Sequence, residues 1–197
     1  MTKARSNATA PNAKGTLVVG NGTDASTTLA VASTAGYVLT VDSAEATGLK
    51  WAAGGLSFSG VAARKEAVIS NNTLTSLSFD TEYFDTNAYH SNTTNPTRFT
   101  VPSGKAGYYQ LTIIGEWQSN GSGQRRIEYW VNGSTKVGTL NIPAGSSGAL
   151  GMCASFTTDS LAVGDYIEVK VFQSSGGNLD WYMFADGQKF SMVYLGA

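Results

Sequence analysis

The sequence predicts an all-β protein whose larger part, residues 61–197, folds as a jelly-roll β-sandwich. Three observations carry this. Apolar and polar residues alternate with period two through that region. Gly, Pro, Asn and Asp punctuate the alternation at short intervals. No stretch shows the apolar period of an amphipathic helix. About eight to ten strands in about 135 residues is what a two-sheet sandwich requires.

Taken in order, strands are expected near Ala63–Ile69, Ser76–Tyr83, Arg98–Thr100, Gly107–Gln118, Arg125–Val131, Ser134–Ile142, Leu150–Thr158, Tyr166–Gln173 and Lys189–Leu195. Leu111, Ile113, Gly115 and Trp117 share one face of their strand, as do Ile127, Tyr129 and Val131. Ile167, Val169 and Val171 point one way, Glu168 and Lys170 the other. Turns are marked by Val101-Pro102-Ser103-Gly104, Ala162-Val163-Gly164-Asp165 and Ser174-Ser175-Gly176-Gly177. Asn132-Gly133, between two strand patterns, is the strongest tight-turn signal.

The region before the sandwich has a different texture. Residues 1–13 are small and polar and form an N-terminal arm, expected to be held by a neighbouring subunit or larger assembly. Residues 14–56 carry apolar residues in short pulses: Leu17, Val18 and Val19, then Val38 and Leu39, then Leu49 and Trp51. Each pulse is too short to build a core within one chain, so the segment is expected to attach and trimerise. Residues 57–60 form a hinge.

Charged residues are only 14% of the 197, net charge is −1, and 23 residues are glycine. Low charge argues against disorder, and the lack of basic excess argues against nucleic acid as a partner. No apolar run reaches membrane-spanning length, and no apolar stretch follows the basic N-terminal residues as a secretory leader requires. The single Cys153 rules out an intrachain disulfide framework and is expected to be a small buried apolar residue.

No catalytic constellation stands out, and no cofactor is expected. His90 lies in a polar loop without a nucleophile beside it and reads as a surface residue. Asp80, Glu82 and Asp85 have the chemistry of a calcium site, but their spacing equally suits an exposed strand face, and no metal is expected. Trp117, Tyr129, Trp130, Phe172, Trp181, Tyr182, Phe184, Phe190 and Tyr194 exceed what one small sandwich needs. Ile114 makes its strand apolar on both faces. A second buried surface, formed by three copies, follows from this reading. Trp117, Trp130, Trp181, Tyr182 and Phe184 are the candidates for a trimer interface or, beside Asn178, Asp180 and Asp186, for a sugar site.

Two resemblances extend this. Ala-Lys-Gly at 13–15, Leu-Val-Val-Gly-x-Gly at 17–22, Gly-x-Val-Leu-Thr-x-Asp-Ser at 36–43 and Thr-Gly-Leu-Lys-Trp-Ala at 47–52 resemble a segment of tailed-bacteriophage virion proteins, found in tail fibres, minor tail proteins and head fibres. Phe99-Thr-Val-Pro102-Ser-Gly-x-x-Gly107-Tyr108-Tyr109, Glu128-Tyr-Trp-Val-Asn132-Gly133, Leu161-x-x-Gly164-Asp165 and the closing Phe190–Leu195 resemble the blocks of the tumour necrosis factor and complement globular-head superfamily. That family implies a trimer of jelly rolls. Together they imply a non-enzymatic homotrimer on the virion surface, made in the host cytoplasm. It would be a capsid decoration protein or short head fibre attached through Leu17, Val18, Val19, Val38, Leu39, Leu49 and Trp51 to the major capsid protein, or to a tail or baseplate protein. The alternative is a tail-fibre or baseplate tip that recognises host cell-surface glycans, without nucleic acid and without membrane insertion.

Overall fold

The structure is a computed structural model, and it describes residues 14–20, 26–54, 58–145 and 148–197. The expected N-terminal arm, residues 1–13, lies outside the described residues. Two compact units are present, Met1–Ser57 and Phe58–Ala197. Among the described residues every regular element is a strand.

The first unit holds two antiparallel pairs. β1 (Leu17–Gly20) pairs with β2 (Ser26–Leu29), and β3 (Tyr37–Val41) pairs with β4 (Leu49–Ala53). The β3–β4 connection is closed by Asp42, whose Oδ1 accepts the Ala44 N–H at 2.9 Å, and by Gly48 in the left-handed region at φ 66°. Lys50 Nζ lies 2.5 Å from Asp42 Oδ2.

The second unit is a two-sheet jelly roll. Its strands are β5 (Gly60–Arg64), β6 (Ala67–Ile69), β7 (Thr75–Ser76), β8 (Thr81–Asp85), β9 (Phe99–Thr100), β10 (Tyr108–Trp117), β11 (Gln124–Val131), β12 (Thr135–Pro143), β13 (Leu150–Thr157), β14 (Tyr166–Gln173), β15 (Leu179–Tyr182) and β16 (Phe190–Gly196). One sheet runs β6-β15-β10-β16-β5-β8, with β13 on the other side of β10. The second runs β12-β11-β14-β7, with β9 also on β14.

Alternation does what the sequence requires of it. Tyr109, Leu111, Ile113 and Trp117 from β10 face Ile127 and Tyr129 from β11 and Ile167, Val169 and Val171 from β14, all buried. Phe79, Phe99 and Phe190 meet in the middle, with ring centroids 4.5–5.8 Å apart. Burying each such ring contributes about 1.5–3 kcal/mol. These two buried phenols find partners: Tyr129 Oη donates to Ala154 O at 2.7 Å, and Tyr109 Oη to Lys105 O at 2.5 Å. Burial pushes both phenols well above their usual pKa. Gln173, also fully buried, ties the sheets at one end: its Nε2 donates to Ile69 O (3.0 Å) and Gly177 O (2.7 Å), and its Oε1 accepts the Ser175 N–H.

Several expectations are corrected. The single strand expected at Ala63–Ile69 breaks at the adjacent charges Lys65-Glu66 into β5 and β6. The one expected at Ser76–Tyr83 is two strands in different sheets: β7 lies on β14 and β8 on β5, and the chain crosses between them with Leu77 and Phe79 buried. β15 was not expected as a strand. Its four residues alternate core and surface, with Leu179 and Trp181 inward, and it extends the sheet beyond β16. Ser59 and Gly60, placed in the expected hinge, are built into the sandwich. Ser59 Oγ lies 2.7 Å from Tyr89 Oη, and a Cβ on Gly60 would meet Met192 O at 2.7 Å. Phe58 of that hinge packs edge-on to Phe84 at 5.3 Å between centroids, and Ser57 lies outside the described residues.

The surplus of aromatics is also corrected. Trp117, Tyr129, Trp181 and Phe190 are buried within one copy, so they require no partner. Cys153 is exposed, because β13 alternates and Met152 and Ala154 take the inward positions. The His90 side chain is fully buried, not on the surface.

Candidate interaction surface

The five aromatic candidates do not form one site. Trp117 and Trp181 pack edge to face inside the core, centroids 5.1 Å apart, and cannot touch another molecule. Trp181 lies so close over Gly115 that a Cβ there would meet its Cζ2 at 2.2 Å. Trp130 is half-buried on the outward face of the β11–β14 sheet. Its Nε1 donates to Glu128 Oε2 at 2.8 Å, and Lys170 Nζ stands 4.4 Å from its ring centroid. Glu128 is itself buried and is compensated by Arg126 at 2.8 Å and Lys136 at 3.5 Å. This face is therefore closed by its own charges.

Tyr182 and Phe184 lie on the other sheet, stacked with centroids 5.1 Å apart and planes 15° apart. Tyr182 sits opposite Glu116 and donates through Oη to Asp180 Oδ2 at 3.0 Å. That bond, burial, and the charges of Asp180, Glu66 and Glu116 together hold its phenol above the usual range. Glu66, Val68, Asp180 and Tyr182 border a shallow cleft of about 260 Å³.

The same sheet carries a charge-poor outward face. Along β10 the outward positions are Tyr108, Gln110, Thr112, Ile114 and Glu116. Beside them stand Cys153, Ser155 and Thr157 of β13, and Ser191, Val193 and Leu195 of β16. Tyr108 (46%), Ile114 (41%) and Leu195 (54%) expose apolar surface. The polar side chains between them are already arranged. Gln110 donates through Nε2 to Ser155 Oγ (2.7 Å) and accepts from Thr157 Oγ1 (2.9 Å), and the Thr112 and Ser155 hydroxyls are 3.1 Å apart. Apolar anchors around a satisfied, uncharged centre suit protein association better than small-molecule chemistry.

In the first unit no described residue is buried, although the segment is rich in apolar side chains. Leu17, Val18, Val38 and Leu39 are exposed, with Val31, Tyr37 and Val41 beside them in the sequence pulses. Val19, Leu49 and Trp51 are half-buried, and Trp51 Nε1 donates to Ala30 O at 2.6 Å.

The carboxylates with calcium chemistry have protein partners. Asp80 lies 3.3 Å from Lys65 Nζ, Glu82 contacts His90, and Asp85 accepts the backbone N–H groups of Asn87, Tyr89 and His90 at 2.9–3.1 Å. Arg125 was missed. It is buried at an inward position of β11, and its guanidinium donates to the carbonyls of Asn120, Ser122 and Gln124 at 2.9–3.0 Å, 5.9 Å from the Trp117 ring. Burial lowers its pKa. An arginine on the core side of an alternating strand was the available signal.

No protein-family model matches the chain, and no curated protein matches it. Solved structures do. The PRD1 vertex protein P5 is similar at 16% identity and TM-score 0.50, covering 73% of this chain and 100% of that one. Murine APRIL is similar at 13% identity and TM-score 0.48, covering 71% and 100%. The globular domain of zebrafish complement 1qA is similar at 12% identity and TM-score 0.47, covering 71% and 98%. The likeness to the vertex protein is one of fold, and with the two sheets described above it makes this chain an all-β jelly roll.

Proposed function

We propose that the chain is a structural protein of a phage virion, a homotrimer that decorates the capsid or forms a short head fibre. Residues 14–56 attach it to the particle, and the jelly roll projects. The observation that carries this reading is the first unit, in which exposed Leu17, Val18, Val38 and Leu39 occur without a single buried residue among those described. Such a segment gains its burial from a partner, here the major capsid protein or a tail or baseplate protein. The charge-poor face of β10, β13 and β16 supplies the contact between three copies. The fold shared with the PRD1 vertex protein P5 supports a place on a phage particle's surface.

The test is direct. Labelled full-length protein is located on particles by electron microscopy, and the double variant Val38→Asp, Leu39→Asp is compared with it. The variant is expected to keep its thermal transition and lose particle binding. Unchanged incorporation would remove the attachment role.

The alternative is a receptor-binding tip for host glycans. The stacked Tyr182 and Phe184 beside Asp180 favour it, since aromatic faces with adjacent acceptors suit sugar rings. Saturable binding on a glycan array, abolished by Tyr182→Ala, would select this reading over pure decoration.

A further inference from the structure

The chain has one histidine, and it is not part of either surface described above. The His90 side chain is wholly buried, stacked on Phe99 at 4.6 Å between centroids and edge-on to Phe79 at 6.3 Å. Its Nδ1 lies 2.8 Å from Glu82 Oε1, and its Nε2 lies 3.1 Å from Pro96 O. Pro96 O also accepts the Phe79 N–H at 2.8 Å, which ties it to the crossover before β8.

Both ring nitrogens therefore face acceptors. A carbonyl oxygen only accepts, and so does an ionised carboxylate. A neutral imidazole donates from one nitrogen only. Either neutral tautomer would set a buried nitrogen lone pair against an oxygen lone pair, at Glu82 or at Pro96. A ring carrying both protons satisfies both contacts at once.

We propose that His90 and Glu82 form a proton-dependent latch on the loop from Thr86 to Arg98. The doubly protonated ring bridges β8 to Pro96, and loss of its proton frees the Pro96 side of the loop. The neighbouring charges fit this. Asp85 Oδ2 accepts the backbone N–H of His90 at 2.9 Å and adds a second negative group at the residue's main chain. Arg98 borders the same small cavity, but its guanidinium is held over Tyr166, 4.2 Å from the centroid. Thr97 Oγ1 donates to Glu168, whose other oxygen lies 3.7 Å from Lys170 Nζ, so that pair engages the loop from β14. Phe79 and Phe99 bring no charge.

The latched loop is also strained. Ala88 and Asn95 sit in the left-handed region at φ 57° and 52°, and Ala88 has no side-chain hydrogen bond to offset its cost. Opening relieves that strain. Because closing takes up a proton, the stability it contributes is present where the ring is charged and is lost as pH rises.

Full-length protein labelled with ¹⁵N-histidine gives a single ring to observe. At about pH 6 both nitrogens are expected to show protonated shifts. Amide exchange at Phe79 and Thr100, corrected for intrinsic rate, is expected to rise about tenfold or more between about pH 6 and about pH 9. Glu82→Gln tests the chemistry, since its amide can donate to a neutral ring; the pH dependence is expected to disappear while the fold is kept. A neutral tautomer at about pH 6 overturns the proposal, as does the same pH dependence in E82Q. If E82Q fails to fold, the wild-type nitrogen shifts decide alone.

Discussion

Asn132 Nδ2 donates to Asp165 Oδ1 at 2.8 Å, joining the tight turn after β11 to the turn before β14. Both turns are short motifs in the sequence, and the structure shows that they hold each other. Asn132 Oδ1 accepts the Tyr166 N–H at 3.0 Å, and Asp165 Oδ2 accepts the Ala162 N–H at 2.8 Å. Asn132→Gly keeps the left-handed backbone (φ 51°) and removes only the side chain. It is expected to cost about 1–3 kcal/mol in urea unfolding. With Asp165→Ala, a double-mutant cycle is expected to give a coupling of about 0.5–3 kcal/mol. Additive losses would mean that the two turns are independent.

Gly115 is required by Trp181 rather than by its backbone angle. Gly115→Ala places a methyl against the indole and is expected to destabilise by about 1–3 kcal/mol, with a red shift of tryptophan emission. Trp181→Phe in the same chain is expected to recover part of the loss. A neutral Gly115→Ala in thermal unfolding would contradict the packing described.

Ile114 and Cys153 lie opposite one another across β10 and β13, both on the outward face. If that face joins three copies, Cys153 resists alkylation in the assembled protein and reacts when it is dissociated. Ile114→Lys is expected to give a folded, lighter species by light scattering, with Cys153 reacting at once. A full-length wild type that runs as a monomer at micromolar concentration, with Cys153 freely reactive, would end the trimer proposal.

The β3–β4 hairpin should loosen in acid. The Lys50 ammonium, with the Ala44 N–H, holds the Asp42 carboxyl below its usual pKa, and Asp42 raises that of Lys50. A carboxyl whose folded pKa is depressed contributes stability above its unfolded value and loses it as pH falls through the folded one. Amide exchange within Tyr37–Val41 is expected to quicken below the ordinary carboxylate range and with added salt, and Asp42→Asn is expected to abolish the pH effect. The pair is solvent-exposed, so salt sensitivity is part of the expectation.

What was legible in the sequence was the sandwich's period. β10, β11 and β14 follow from alternation alone, because one face of each is buried. What was not legible was the company each residue keeps. Trp117 and Trp181 count as surplus until the extra strand β15 places one against the other. His90 reads as a loop residue because nothing in the sequence shows its loop folding back on Glu82 of β8, with Pro96 O held by the Phe79 N–H of the crossover from β7. Cys153 reads as buried because its type usually is, but its parity on β13 places it outside. For the two tryptophans and His90 the deciding fact is which sheet a short strand joins, and strands as short as β7, β8 and β15 carry too little pattern to show it.

Arg125 engages the loop that carries the chain from β10 in one sheet to β11 in the other only through main-chain oxygens of Asn120, Ser122 and Gln124. Within that loop Gly123 is fixed by space, since a Cβ there would strike Ser174 O at 1.9 Å. The loop's path is thus dictated from inside and is indifferent to most of what it shows outside. That makes the loop a place to graft: a foreign peptide inserted beside Gly121 would be carried outward on a scaffold already set beneath it.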